Sequence, residues 1–225
     1  GTTAAGINVR PAWDKSTGAG VVVAVIDTGI TNHADLNANI LPGYDFISDT
    51  FVSRDGNGRD SNPNDEGDWN PVAGECYSGS PVTNSSWHGT HVAGTVAAAT
   101  NNGQGVAGTA FNAKLVHVRV LGKGGGYTSD IADGMVWAAG GTVRGIPRNA
   151  NPAKVLNLSL GGQGACDRAS QAAVDGAIQN GATVVVAAGN SNADVSRFNP
   201  ANCRGVVAVA ATMSGSGVCT PRLIS

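Results

Sequence analysis

Two stretches of this sequence have no polar side. Val21-Val22-Val23-Ala24-Val25-Ile26 runs into Asp27-Thr28-Gly29, and Thr183-Val184-Val185-Val186-Ala187-Ala188 runs into Gly189-Asn190. A strand with one wet face alternates apolar and polar residues; a continuous β-branched run belongs to a strand buried on both sides. Helices must then cover both faces of the sheet, with crossovers joining parallel strands. The rest of the chain supplies these parts. Residues 114–120, 154–160 and 206–211 read as further strands, and 11–15 as a short helix in an irregular N-terminal arm. Residues 128–139 read as a helix with Thr128 or Ser129 as cap and Asp130 in its first turn, and 167–179 as one stopped by Asn180-Gly181. The expected fold is α/β: a three-layer, doubly wound, mainly parallel sheet with helices on both faces. At 225 residues it fits one domain, 1–225, with an atypical tail at 212–225.

In such a sheet, ligands and catalytic groups collect at the carboxyl ends of strands. Asp27 closes the first apolar run and Asn190 the later one. Between them, Ser86-Trp87-His88-Gly89-Thr90-His91-Val92-Ala93-Gly94 passes from small polar residues into an uncharged Ala/Val/Gly run. That reads as a loop entering a buried helix, with Ser85 or Ser86 as cap. His88 sits at the seam, where it can be held rigidly with one ring nitrogen facing solvent. Gly89 and Gly94 cost helix propensity, which points to close approach of a neighbouring backbone. A hydrogen-bonded core histidine is the bland alternative. A zinc pair with His91 is a poor one, since the zincin pattern spaces its histidines four apart around a glutamate.

Residues 45–80 differ in composition, carrying Asp45, Asp49, Asp55, Asp60, Asp65, Glu66 and Asp68 among Asn, Gly, Ser and Pro. Asp60-Ser61-Asn62-Pro63-Asn64 copies the opening of an EF-hand loop, but Asp65 stands where that loop needs glycine. Clustered hard oxygens favour calcium over transition metals, so Asp49, Asp60, Asp65 and Asp68 are candidate structural calcium ligands; the alternative is a solvated acidic loop. Gly103-Gln104-Gly105-Val106-Ala107-Gly108 has dinucleotide-fingerprint spacing but follows a helix and leads to a strand, the wrong context. Gly124, Gly125 and Gly126 leave backbone groups free to accept an extended peptide by strand addition. A net charge of −2 with 13% charged residues gives no reason to expect nucleic acid or an anionic membrane surface. No apolar run reaches membrane-spanning length and no signal peptide opens the chain, so an exported protein would be represented here in processed form. Four cysteines without zinc spacing suit an oxidising compartment.

Val25-Ile26-Asp27-Thr28-Gly29, His88-Gly89-Thr90-His91-Val92-Ala93-Gly94-Thr95, Asn157-Leu158-Ser159-Leu160-Gly161-Gly162 and Ala187-Ala188-Gly189-Asn190 occur in this order. Together they resemble the subtilisin-type serine proteases, the subtilases, over about residues 6–211. The resemblance implies a secreted endopeptidase acting on polypeptides, with Asp27 orienting, His88 as general base and Asn190 donating to the oxyanion. It implies that Gly124, Gly125, Gly126 and Ser159, Leu160, Gly161 clamp an extended peptide, and that Ala188 and Gly189, with Ala187, line the pocket before the scissile bond. Asp35 and Asn102 resemble calcium-site positions of the family. Cys166 and Cys203, flanking the Asn190 strand, are expected to pair. Cys76 lacks the partner that some relatives carry near Gly124, and Cys219 is its only alternative.

The chain departs from the family at the nucleophile, which a subtilase carries in a G-T-S-x-A segment. No such segment occurs here, and Ser214, Ser216 and Ser225 lie in no strand-to-helix context. The expectation is a C-terminally truncated scaffold that is inactive alone. It would self-associate through uncovered strand surface or bind a complementing C-terminal fragment; a non-catalytic peptide-binding or inhibitory remnant is the alternative.

Overall fold

Val22–Asp27 (β1) is buried along nearly its whole length, as a run without a polar face requires; Ala24, Val25 and Ile26 are all 0% exposed. In this computed structural model, which describes residues 7–211, β1 lies in the interior of a six-stranded sheet. The short helix Arg10–Trp13 (α1) precedes it. Ile40–Asp45 (β2), the single turn Thr50–Ser53 (α2) and His88–Ala97 (α3) follow. Then come Lys114–Arg119 (β3), Thr128–Ala138 (α4), Val155–Leu158 (β4), Gly162–Gln163 (β5) and Arg168–Gln179 (α5). Thr183–Ala187 (β6), Phe198–Asn199 (β7) and Val207–Val209 (β8) complete the described chain. The sheet order is β2-β3-β1-β4-β6-β8 with every pair parallel, and β5 and β7 form a separate antiparallel pair.

Side chains alternate along each strand, so the two faces form two cores. One packs Val116, Val118, Leu156, Leu158, Val184 and Val186 against Met135 and Trp137 of α4 and Ala173, Val174 and Ala177 of α5. The other packs Val23, Val25 and Leu115 under Ala93 and Ala97 of α3. Each large apolar side chain buried this way contributes about 1.5–3 kcal/mol. The expected doubly wound α/β architecture is therefore present. The second face is covered only in part: Val207 and Val209 of β8 remain 49% and 47% exposed. They share a pleat face with Val185 and Ala187 of β6, opposite the face carrying α4 and α5.

Several local expectations are corrected. The N-cap of α3 is Trp87, in the left-handed region at φ 52°, and it makes no side-chain cap; Ser86 lies one residue earlier. Tyr127, not Thr128 or Ser129, occupies the N-cap of α4, although Asp130 does sit in its first turn. Strand β2 is the sheet edge, where Pro42 without an N–H is tolerated and a register shift between Leu41 and Tyr44 breaks the regular pattern. Gly89 behaves as expected, since a Cβ there would come within 2.2 Å of the Gly29 carbonyl oxygen. Gly94 does not: its nearest neighbour would be a Val106 methyl at 3.9 Å.

The two glycines of one helix thus predict opposite responses. Gly94→Ala is expected to stabilise the fold by about 0.5–1 kcal/mol through helix propensity. Gly89→Ala forces backbone against backbone and is expected to cost about 1–3 kcal/mol. Denaturant melts of the two variants check both signs.

Candidate active site

The crossovers leave β1 flanked by β3 on one side and β4 on the other, so its carboxyl end opens at a topological switch point. Asp27 occupies that end and is 0% exposed. Thr28 N–H donates to its Oδ1 at 2.7 Å. The first residue of α3 meets it: His88 Nδ1 lies 2.8 Å from Oδ1 and 2.9 Å from Oδ2 of Asp27. The close Gly29–Gly89 approach brings helix and strand end within this reach.

Charge and burial oppose each other at this imidazole. Its hydrogen bond to Asp27 holds the His88 pKa above the ordinary histidine value, against the burial that lowers it, and the charges of Asp27, Asp68 and Asp65 add to the rise. With Nδ1 engaged by a carboxylate, the tautomer carrying its proton on Nδ1 is favoured, and Nε2 is left as the basic atom. His117, in contrast, is wholly buried on β3, and burial pushes it down to about 3. It is neutral and shut away from any substrate. His91 is exposed on the outer side of α3 in a groove with His33 and Asp35, so His88 and His91 make no metal pair.

The peptide-binding segments expected from the sequence converge. Gly124, Gly125 and Gly126 face Ser159, Leu160 and Gly161 across a cavity of about 590 Å³, with Leu121 and Ile131 in its wall. Ser159, Leu160 and Gly161 also border a second cavity of about 390 Å³, shared with Ala187, Gly189 and Asn190. Ala188 is the exception: its N–H donates to Val209 O at 2.9 Å within the strand ladder, and it lines neither cavity. Phe198, which pairs with Gln163 in the β5–β7 ribbon, forms part of the wall of the second cavity. This wall was invisible in sequence because two-residue strands carry no periodicity. Cys166 and Cys203 form a disulfide that anchors the start of α5 to the segment before β8. Among the described residues Cys76 has no disulfide partner, and its Cβ would lie 2.7 Å from a Cβ built on Gly124. Cys219, Ser214, Ser216 and Ser225 lie outside the described residues.

The acidic stretch does not assemble as expected. Asp49 caps α2, accepting from Phe51 N–H at 2.9 Å. Asp60 accepts from Asn62 N–H and from the Asn57 amide, both at 2.7 Å. Asp65 accepts from the Thr28 hydroxyl at 2.6 Å, and Asp68 from Ser86 N–H at 2.6 Å. Four carboxylates thus serve four separate sets of donors. Among the described residues, no group of three or more His, Cys, Asp or Glu side chains is gathered to hold a metal. Asp35 and Asn102 do meet, but the Asn102 amide N–H donates to Asp35 at 2.6 Å and Val106 N–H at 3.0 Å. In this arrangement the Asp35 carboxylate accepts from two N–H donors, and no step is derived through a cation.

Residues 18–221 match the model of the Subtilase family, Peptidase_S8. The chain is 69% identical over 214 residues to an extracellular protease of Xanthomonas campestris pv. campestris, covering 95% of this chain and 37% of that protein. It is 55% identical over 213 residues to an extracellular basic protease of Dichelobacter nodosus, covering 92% of this chain and 35% of that protein. The chain therefore spans little more than a third of these curated relatives. Among solved structures it is similar to the proteases from Pseudoalteromonas arctica PAMC 21717. The TM-score is 0.89 at 62% identity, over 91% of this chain and 60% of that one.

The raised His88 pKa sets a sign for pH dependence. A histidine whose folded pKa exceeds its unfolded one stabilises the fold fully below the unfolded value, about 6.5, and loses that contribution as pH rises through the folded value. Asp27→Asn is expected to lower the His88 midpoint, followed by NMR titration of the ring, and to flatten this part of the stability profile.

Proposed function

The chain belongs to the subtilase family, and from that membership we propose that its residues carry the acid–base half and the substrate groove of an extracellular serine endopeptidase. The observation supporting this most directly is the 2.8 Å contact between a fully buried carboxylate and an imidazole that keeps its second nitrogen for chemistry. His88 Nε2 accepts the proton of an attacking hydroxyl and returns it to the leaving amine, while Asp27 stabilises the imidazolium between the two transfers. Asn190 supplies an amide N–H to the oxyanion; a donor in that role is worth about 10²–10³ in turnover, a magnitude measured on a subtilisin. An extended polypeptide lies between Gly124, Gly125, Gly126 and Ser159, Leu160, Gly161, its backbone pairing with theirs.

The nucleophile is the missing member. No G-T-S-x-A segment occurs in these 225 residues, and loss of the serine in a subtilisin removes about six decades of turnover. The 225-residue chain alone is therefore inactive as a hydrolase. A fluorophosphonate probe is expected to leave it unlabelled; stoichiometric labelling of one serine would contradict this. The assembled groove beside an absent nucleophile also favours a second reading, peptide binding without cleavage, which calorimetric titration with unreactive peptides distinguishes.

The half-exposed valines of β8, on a sheet face that α3 covers only at β1 and β3, support self-association of the chain. Sedimentation velocity is expected to show concentration-dependent dimers or larger species. A compact monomer at every concentration would contradict the assignment.

A further inference from the structure

Helix α3 begins without the usual device. A helix leaves its first N–H groups without intrahelical partners, and a side chain at the N-cap normally accepts from one of them. Trp87 cannot accept, and its left-handed backbone carries strain for a non-glycine residue. Yet His88, whose ring must be aimed at Asp27, is the first residue of this helix. Something else must hold the start of α3.

Two hydroxyls do so. Gly89 N–H donates to Thr28 Oγ1 at 2.9 Å, and His88 N–H donates to Ser86 Oγ at 3.3 Å. Each hydroxyl passes its own proton to a carboxylate. Thr28 Oγ1 donates to Asp65 Oδ2 at 2.6 Å, and Ser86 Oγ donates to Asp68 Oδ2 at 2.8 Å. A hydroxyl that donates to an anion is polarised into a better acceptor, so each chain of two bonds reinforces itself. Both carboxylates come from one short segment, whose shape is fixed in turn: Asp65 Oδ1 accepts Gly67 N–H at 2.8 Å, and Asp68 Oδ1 accepts Ser86 N–H. Negative charge placed here also complements the positive end of the helix dipole.

We propose that Asp65 and Asp68 are positioning residues for the general base, holding the first two N–H groups of α3 through Thr28 and Ser86 and so fixing the His88 ring against Asp27. The inference rests on the proposed role of His88 as base. Thr28 ties the arrangement together, because its backbone N–H holds Asp27 while its side chain holds Gly89. The acid and the base are thereby located from one residue. The charged groups facing His88 are Asp27 from β1 and Asp65 and Asp68 from the acidic segment, and all three favour the imidazolium. The segment that composition alone assigns to a cation therefore serves the imidazolium formed in the reaction.

The test follows amide exchange at Gly89 and His88 together with the His88 ring titration, by NMR on the full 225-residue chain. Asp65→Asn is expected to speed exchange at Gly89 by about two- to tenfold, the loss of one net hydrogen bond. Asp68→Asn is expected to do the same at His88, and each change to lower the ring midpoint. Thr28→Ser keeps the hydroxyl and is expected to retain wild-type exchange and midpoint, whereas Thr28→Val is expected to reproduce the Asp65→Asn result. That pair keeps the proposal falsifiable if an aspartate variant fails to fold. Wild-type exchange at both amides in the Asp variants would overturn it, as would a general rise in exchange with an unmoved His88 midpoint. An unmoved midpoint in Asp27→Asn alone would instead overturn the reading of His88 as the base.

Discussion

A carboxylate with no exposed surface, at the end of a strand with no polar face, is the constraint to which the rest of the structure answers. Burying an ionised Asp27 unpaired would cost several kcal/mol, and its removal from water is offset only by partners of good geometry. Thr28 N–H and His88 Nδ1 are those partners. Supplying His88 demands that a helix start within contact of the strand end, which in turn demands glycine at both points of contact. Gly29 takes φ 106°, in the left-handed region, and Gly89 leaves room for the Gly29 carbonyl. The glycines around Asp27 and His88 are thus explained by one close approach.

The same geometry sets the direction of the chemistry. A carboxylate on Nδ1 leaves Nε2 to exchange a proton at near-neutral pH, which suits hydroxyl activation and leaving-group protonation alike. The groove lies near the carboxyl ends of the strands, where Ser159, Leu160 and Gly161 border two cavities. Apart from Leu160 the side chains of these segments are small, and larger groups stand in the cavity walls. Phe198, brought in by the β5–β7 ribbon and held near the Cys166–Cys203 disulfide, is one such wall.

Much of this was legible in the residues. The run ending at Asp27 declared itself as a central strand because burial on both faces leaves an uninterrupted apolar pattern; the run in β6 has the same pattern, yet Val185 and Ala187 are only partly buried. His88 stood out because a polar loop gives way there to an uncharged Ala/Val/Gly run, although the helix it forms buries only the face of Gly89, Ala93 and Ala97. Edge strand β2 was not legible: Pro42 and Gly43 break its pattern, and an edge tolerates both. The partners of the acidic segment were not legible either, for a more basic reason. Composition shows that carboxylates are clustered, but not which N–H or O–H group each one meets. Composition leaves Asp65 and Asp68 between a cation and solvent, whereas the structure shows them accepting from hydroxyls and a backbone donor around His88. The helix caps failed similarly, since Ser86 does serve the start of α3, but from one residue before the N-cap.

The central claim is that Asp27 fixes the protonation geometry of His88, and the ring nitrogens report on it directly. Nitrogen-15 NMR of the neutral imidazole, above its titration midpoint, distinguishes the two tautomers. The account predicts a proton on Nδ1 and a bare Nε2 in the native chain. A neutral His88 carrying its proton on Nε2 would contradict it.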